Sequence, residues 1–215
     1  MLNVIKLMTE PIITPIKIIK FDSREEWLDA RVGKITGTRL KDLISLRGAG
    51  KKKGFYELIA ERVAVPADGE NTMERGIRLE SEAVERFEKE TGKKVNSDLV
   101  LWVSDLDENI AISPDGYINQ TEAIEIKCIN SASHIEALLT QEIPAEYKFQ
   151  VLQYFIVNPK LKKLFFIFYD PRIPAKDYFV ITVERKDVED DVKKYLEEEL
   201  AIIKEVEAIT LNLTF

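Results

Sequence analysis

Asp115, Glu125 and Lys127 lie in the run ISPDGYINQTEAIEIKC, residues 112–128, and together bring two acids and an ammonium into a short stretch. SPDG carries the signature of a type I turn, with Ser first, Pro second and Gly fourth, so Asp115 could be simply a polar turn residue. AIEIKCI then reads as a strand. Side chains alternate along a strand, so Glu125 and Lys127 share one face while Ile124, Ile126 and Cys128 share the other. One reading is a charged face turned to water with a mild ion pair. The other is chemical: an acid on a turn just upstream of an E-x-K strand brings two carboxylates to one cation. The ammonium then stands beside a water that the cation polarises, and can orient it or stabilise developing charge.

A third acid bears on the choice. In ERGIRLESEAVERFEKET, at about 100° per residue, Ile77, Leu79, Ala83, Val84 and Phe87 form an apolar arc. Arg78, Ser81, Glu82, Glu85, Arg86, Glu88 and Lys89 occupy the opposite face. Glu80 falls in the middle of the apolar arc, where an unpaired carboxylate is costly or forced neutral. Either it has a buried partner or a proton, or it is a third carboxylate aimed at the same metal site.

Composition narrows the metal. The chain of 215 residues has one cysteine and one histidine, His134. A cysteine cluster for zinc, a His-rich zinc site and an internal disulfide are therefore excluded, and the cysteine usage suggests a reducing compartment. Carboxylates and carbonyls must hold any metal, which favours Mg²⁺ or Mn²⁺. Net charge is −7, but residues 184–207 hold ten acids against five bases, so most of the excess sits in one terminal segment. A nucleic-acid binder needs a local basic path rather than a basic total, and RGAGKKK at 47–53 is a basic loop. No run is apolar enough for a membrane span, and the N-terminal stretch lacks a signal-peptide pattern.

The elements that must position these residues follow from periodicity and punctuation. SREEWLDARVG reads as a short helix with Ser23 and Glu26 at capping-box spacing and Gly33 at its end. TGTRLKDLISLRG and GFYELIAERVAV are further helices, the latter closed by Pro66, and a longer one spans roughly 73–91 and stops at Gly92. Strand-like runs follow: KVNSDLVLWVS, ENIAIS, AIEIKCI, LKKLFFIFYD and DYFVITVER, with SASHIEALLTQ and AEYKFQVLQYFIV as helices among them. A last helix, about 187–209, carries Val188, Val192, Tyr195, Ile202, Val206 and Ile209 on one stripe. The expectation is one mixed α/β (α+β) domain over residues 1–215, helices first and then a sheet with helices against it.

With SPDG as the Asp-bearing turn and EIK as the remainder, the chain resembles the PD-(D/E)-x-K nucleases. More narrowly it resembles the phage lambda exonuclease (YqaJ-like) family of viral recombination nucleases. The resemblance runs from about residue 23 through WLDARVGKITGT, RGIRLESEAVERF, SPDG, EIKC, QVLQY, FYDPR and VITVER. It implies a restriction-endonuclease-like core, a central mixed sheet flanked by helices. It implies that Asp115, Glu125 and the backbone carbonyl of Ile126 bind a first metal, that Glu80 helps hold a second, and that Lys127 assists the attacking water. Arg31, Thr38 and Ser113 match positions that receive a 5′-phosphate, a role suited to a guanidinium fork and hydroxyls. Gln150 and Tyr154 match a Gln-x-x-x-Tyr motif, with Gln153 as a competing register. Met73 matches a position where an apolar side chain wedges between bases, and Lys51, Lys52 and Lys53 could follow the phosphate backbone. Thr38 stands where Ser is more familiar, which keeps the hydroxyl.

The activity so implied is an Mg²⁺-dependent 5′→3′ exonuclease, with Mn²⁺ as substitute and two ions. It would act on ends of double-stranded DNA bearing 5′-phosphate and leave a 3′ single-stranded overhang. The resemblance also implies a ring-shaped homotrimer, a single-strand annealing protein as recombination partner, and a phage or prophage protein in the cytoplasm of a bacterial host. Two rival readings keep the fold: a structure- or sequence-specific endonuclease, and a DNA-binding module without activity. The intact Asp, Glu and Lys set argues against the second. A surface hairpin on an unrelated α/β protein would leave Glu80 to be explained separately.

Overall fold

Ser23 opens the first helix as its spacing predicts, its Oγ accepting the N–H of Glu26 at 3.1 Å. The computed structural model describes residues 23–29, 52–63, 72–107 and 109–214. Arg31, Thr38, Lys51, Gly33, Pro66 and the helix expected in TGTRLKDLISLRG lie outside the described residues. Helix α1 is Arg24–Asp29, α2 is Lys53–Val63 and α3 is Thr72–Thr91. Gly92 ends α3 at φ +69, the left-handed conformation that glycine adopts without strain at a helix end. The Glu88 carboxylate then accepts the N–H of Val95 at 2.8 Å and turns the chain toward the sheet.

The run 94–104 forms less strand than predicted. Only Trp102–Val103 (β1) pairs, antiparallel to Ala111–Ile112 (β2), while Asn96 makes a single bridge to Tyr117. Leu99 and Leu101 are exposed; neither a ladder nor a core face holds the intervening residues. Gly116–Asn119 forms a strand (β3) that the turn reading did not anticipate. Gly116 is already in the ladder opposite Ile124, so SPDG makes a bend at Asp115 that passes straight into β3 rather than a complete type I turn.

The main sheet has the order β3-β4-β5-β6, with β4 at Glu122–Lys127, β5 at Lys163–Tyr169 and β6 at Tyr178–Glu184. The β3–β4 and β5–β6 pairs are antiparallel and β4–β5 is parallel. A parallel neighbour requires a long crossover. Here it holds α4 (Ser131–Thr140), a 3₁₀ turn at Ala145–Tyr147 and α5 (Lys148–Val157). Helix α6, Arg185–Thr214, begins directly after β6.

The period-2 pattern of β4 divides the core as expected. Ile124 and Ile126 pack with Ile167 against Leu79, Ala83 and Phe87 of α3. The other face carries Ala123, Phe166 and Phe168 against α5 and Val192 of α6. Each fully buried large side chain contributes roughly 1.5–3 kcal/mol, so both helix layers fix the height of β4. The stripe on α6 differs from the expected one at Ile202, which is exposed. Leu196, Leu200 and Ile203 join Val188, Val192 and Tyr195 instead; at 100° per residue the stripe runs through Val192 and leans toward Leu200, away from Ile202. The side chains of Val206 and Ile209 are outside the described residues. Among the described residues no helix is long and apolar enough to cross a membrane.

Candidate active site

Glu125 has 1% of its surface exposed, at the centre of β4. Its strand position is dictated by the alternation, but its burial is not: the water-facing reading of the E-x-K strand does not hold. A buried carboxylate needs donors, and three side chains supply them. Oε1 accepts from Lys127 Nζ and from Gln150 Nε2, each at 2.6 Å. Oε2 accepts from the Tyr154 hydroxyl at 2.5 Å. Gln150 and Tyr154 are one helical turn apart on α5, so a single face of that helix clasps the carboxylate. Gln153 points elsewhere, donating to Glu199 of α6 at 2.9 Å. The two registers of the Gln-x-x-x-Tyr motif are thereby separated.

Asp115 is brought alongside by the bend before β3. Its Oδ2 accepts the N–H of Ile126 at 2.7 Å, just past the end of the β3–β4 ladder. The N–H and carbonyl of one strand residue leave on the same side, so the Ile126 carbonyl is on the Asp115 side of β4. Gly116 is required here, since a Cβ would meet Val95 Cγ1 at 2.6 Å. Ser113, before Pro114 in the same bend, is exposed and donates its hydroxyl to the Val100 carbonyl at 2.8 Å.

Glu80 departs from expectation. The fully buried row of α3 is Leu79, Ala83 and Phe87, and Glu80, about 100° round from Leu79, is exposed at the border of the arc. It nevertheless belongs electrostatically to the same cluster. Partial burial of the carboxyl and the charge of Asp115 push it above the usual range, and Lys127 acts in the opposite sense. Burial raises Asp115 against the lowering effect of the Ile126 N–H and Lys127. Burial and then Asp115 raise Glu125. Burial and the Glu125 charge push the Tyr154 phenol far above its ordinary value, so it remains a proton donor. In all three carboxyls burial outweighs the one nearby ammonium. Among the described residues, no three acidic, histidine or cysteine side chains converge closely enough to hold an ion by themselves. Asp115 and Glu125 form the adjoining pair, and Glu80 is coupled to Asp115 and Lys127 through charge.

Lys127 has a second neighbour that the sequence did not flag. Its Nζ lies 5.0 Å from the ring centroid of Tyr147, the last residue of the 3₁₀ turn before α5. The available signal was spacing, since Tyr147 precedes Gln150 and Tyr154 at helical intervals. FYDPR also contributes a structural clasp. Asp170, fully buried, accepts from Ser131 Oγ at 2.5 Å and from Arg172 Nε at 2.7 Å, and Arg172 reaches the Ile129 carbonyl at 3.4 Å. That network joins the exits of β4 and β5. His134 is buried beside it, with Nε2 2.9 Å from the Lys176 carbonyl and burial lowering its basicity. Lys52 and Lys53 are exposed at the start of α2, and Met73 lies in the first turn of α3.

The YqaJ-like viral recombinase domain model matches residues 26–160, a span that includes every element around Glu125 except β5 and β6. Two solved structures are similar along nearly their whole length: LHK-Exo in complex with dAMP, and the alkaline exonuclease LHK-Exo from Laribacter hongkongensis. Each is 31% identical, covers 88% of this chain and 99% of its own, and superposes with a TM-score of 0.52. Comparison with curated proteins gives no match. The mixed sheet flanked by helices is thus the restriction-endonuclease-like fold expected from the sequence. A chain whose β4 carries E-x-K beside an upstream Asp, and whose residues 26–160 fit this model, belongs to the YqaJ-like viral recombinase family.

Proposed function

We propose that the protein is an Mg²⁺-dependent 5′→3′ exonuclease that degrades one strand of linear double-stranded DNA from a 5′-phosphorylated end, leaving a 3′ single-stranded overhang for annealing. The observation that carries this reading is Glu125: a buried carboxylate held by Lys127, Gln150 and Tyr154, beside Asp115. The likeness to an alkaline exonuclease, one of whose structures contains the deoxynucleotide dAMP, supports a nuclease acting on DNA.

The donor set suits a hard divalent cation: carboxylate and carbonyl oxygens, with the carboxyl groups raised by burial and, for Glu80 and Glu125, by the charge of Asp115. Asp115, Glu125 and the Ile126 carbonyl would hold one ion, and Glu80 would help hold a second, with Mn²⁺ able to replace Mg²⁺. A bound cation of this kind supplies a polarised water and neutralises charge on the phosphate. The chain's own groups do the rest. Gln150 and Tyr154 fix the Glu125 carboxylate in one orientation, as outer hydrogen bonds do for metal ligands. Lys127 presents its ammonium to the attacking water and to charge developing on the phosphate. Arg31, Thr38 and Ser113 would receive the 5′-phosphate, while Lys51, Lys52, Lys53 and Met73 would lie along the DNA. We further propose one nuclease domain over residues 1–215, a ring-shaped trimer, a single-strand annealing protein as partner, and action in the cytoplasm of a phage-bearing bacterial host.

The test is digestion of a linear duplex labelled at its 5′ or 3′ end, with and without terminal phosphate and Mg²⁺. Release of the 5′ label first, requiring Mg²⁺ and favoured by 5′-phosphate, is expected. Lys127→Ala and Asp115→Ala are expected to abolish digestion while remaining folded. Retained activity in either variant removes the site assignment, and cutting of a covalently closed circle replaces the exonuclease with an endonuclease.

A further inference from the structure

Tyr147 lies outside every motif discussed above, yet it touches the group on which the proposed chemistry turns. It closes the 3₁₀ turn Ala145–Tyr147 at the head of α5, and residues 147, 150 and 154 follow at intervals of three and four. That spacing sets them along one stripe of the helix. Two of the three, Gln150 and Tyr154, hold Glu125. The third presents its ring to Lys127, whose Nζ is 5.0 Å from the centroid, inside the range of a cation–π contact. The ring is held from behind by Phe166, 5.8 Å between centroids, and Phe166 is the β5 partner of Glu125 in register. The face of the ring is the part that meets the ammonium.

We propose that Tyr147 is a positioning residue for Lys127: its ring would keep the ammonium in the site if a cation took the Glu125 oxygen that Lys127 now contacts. This rests on the nuclease reading of the site. Among the described residues Lys127 meets a charged partner, Glu125 at 2.6 Å, and the ring. The Glu125 contact is the one that a divalent cation held there would weaken, since both draw on the same carboxylate and like charges repel. An aromatic face is suited to remain as the second, because it attracts the cation without a net charge that would compete for the metal. It also leaves the N–H donors of Lys127 free for water and phosphate. A carboxylate at position 147 would do neither.

The test combines kinetics with a spectroscopic signature in the full-length protein. Tyr147→Leu is expected to lower kcat on a linear duplex roughly tenfold, the scale of a cation–π contact in a partly desolvated site, with KM for DNA little changed. Tyr147→Phe, which keeps the ring, is expected to restore kcat. In protein carrying ¹³C-labelled lysine, the Lys127 ε-methylene signal, assigned by its loss in Lys127→Ala, is expected upfield of a solvated lysine. It should stay there in Tyr147→Phe and move to the solvated position in Tyr147→Leu. Because Tyr147→Leu also removes packing on Phe166, its kcat is read well below its melting temperature. The proposal is overturned by an unshifted Lys127 signal in the wild-type protein, by wild-type kcat in Tyr147→Leu, or by equal loss in the Phe and Leu variants. If wild-type protein fails to digest DNA with Mg²⁺, the nuclease reading falls and this inference falls with it; an upfield Lys127 signal in that protein locates the failure in the reading rather than in the contact.

Discussion

The phenol of Tyr154 donates to Oε2 of Glu125 across 2.5 Å, from a side chain with no exposed surface. Neither group has water as an alternative, so the bond holds the carboxylate in one orientation. Tyr154→Phe keeps the ring and removes only the donor. A donor removed from a buried charged acceptor costs about 1–3 kcal/mol of stability, and loss of an outer hydrogen bond to a metal ligand costs on the order of 10–100-fold in metal affinity or activity. Mg²⁺ titration of the digestion rate checks this: the half-saturating concentration should rise and the maximal rate should fall. An unchanged Mg²⁺ dependence would remove Glu125 from the ligand set.

Asp115→Asn separates the two consequences of a crowded acidic site. Burial raises the Asp115 carboxyl. A group whose folded pKa stands above its unfolded value contributes stability that is present below the unfolded pKa and lost as pH rises through the folded one. At neutral pH the ionised Asp115 therefore burdens the metal-free fold. The Asn side chain keeps an acceptor for the Ile126 N–H and discards the charge. Thermal melts in EDTA should show the variant more stable than wild type at pH 7, with the difference closing toward pH 4. Mg²⁺ should raise the melting temperature of wild type and leave the variant unmoved. A variant that Mg²⁺ still stabilises as it does wild type contradicts the assignment of Asp115.

Asp170 behaves in the opposite sense. Burial alone would raise it, but Arg172 and Ser131 more than offset that and hold it below the ordinary Asp value. Its contribution to stability is thus present above the unfolded pKa and lost as pH falls through the folded one. Arg172→Ala takes a guanidinium from a buried carboxylate, a change that costs about 3–5 kcal/mol. Asp170→Asn should cost less. Urea unfolding at pH 7 should show both losses, and the gap between wild type and Asp170→Asn should narrow as pH drops below 4. A pH-independent gap would mean that the clasp acts by packing alone.

The parts that were legible in the sequence were those set by local periodicity. β4 splits its side chains between faces as alternation requires, and α3 ends at Gly92 for a local steric reason. What periodicity could not supply was the depth of burial, which depends on what arrives from elsewhere in the chain. Glu125 is sealed by α5 from more than twenty residues downstream, while Glu80 stays exposed because Leu79, Ala83 and Phe87 take the sheet contact. β3 escaped notice because its Gly, Asn and turn-like flank read as a loop until Ile124 is placed opposite Gly116. The register of the glutamines was likewise open, since both fit a helix and only the position of α6 distinguishes them.

Gly116→Ala tests how tightly the bend is built. The added methyl carbon would lie 2.6 Å from Val95 Cγ1 and 3.1 Å from two carbons of Ile124. Overpacking of this kind costs about 1–3 kcal/mol, and the strand must shift next to Asp115. Denaturant unfolding should register the stability loss, and digestion by the fraction that remains folded should also fall. Wild-type activity per folded molecule would show that Asp115 tolerates movement of β3.

The two glutamines of α5 give a discriminating pair. Gln150 Nε2 reaches Glu125 Oε1 at 2.6 Å, whereas Gln153 Nε2 reaches Glu199 Oε1 at 2.9 Å and so joins α5 to α6. Gln150→Ala should act on chemistry: a weaker Mg²⁺ response and a fall in kcat on the order of tenfold or more. Gln153→Ala should act on the fold, with a loss of about 0.5–1.5 kcal/mol from the missing hydrogen bond. Its Mg²⁺ dependence and kcat should stay near wild type below the melting transition. Measured side by side, unfolding free energy and Mg²⁺-dependent kcat should separate the variants in opposite directions. A reversed pattern would put Gln153 rather than Gln150 in the working register, and would require α5 to rotate by about 60° from its position in this structure.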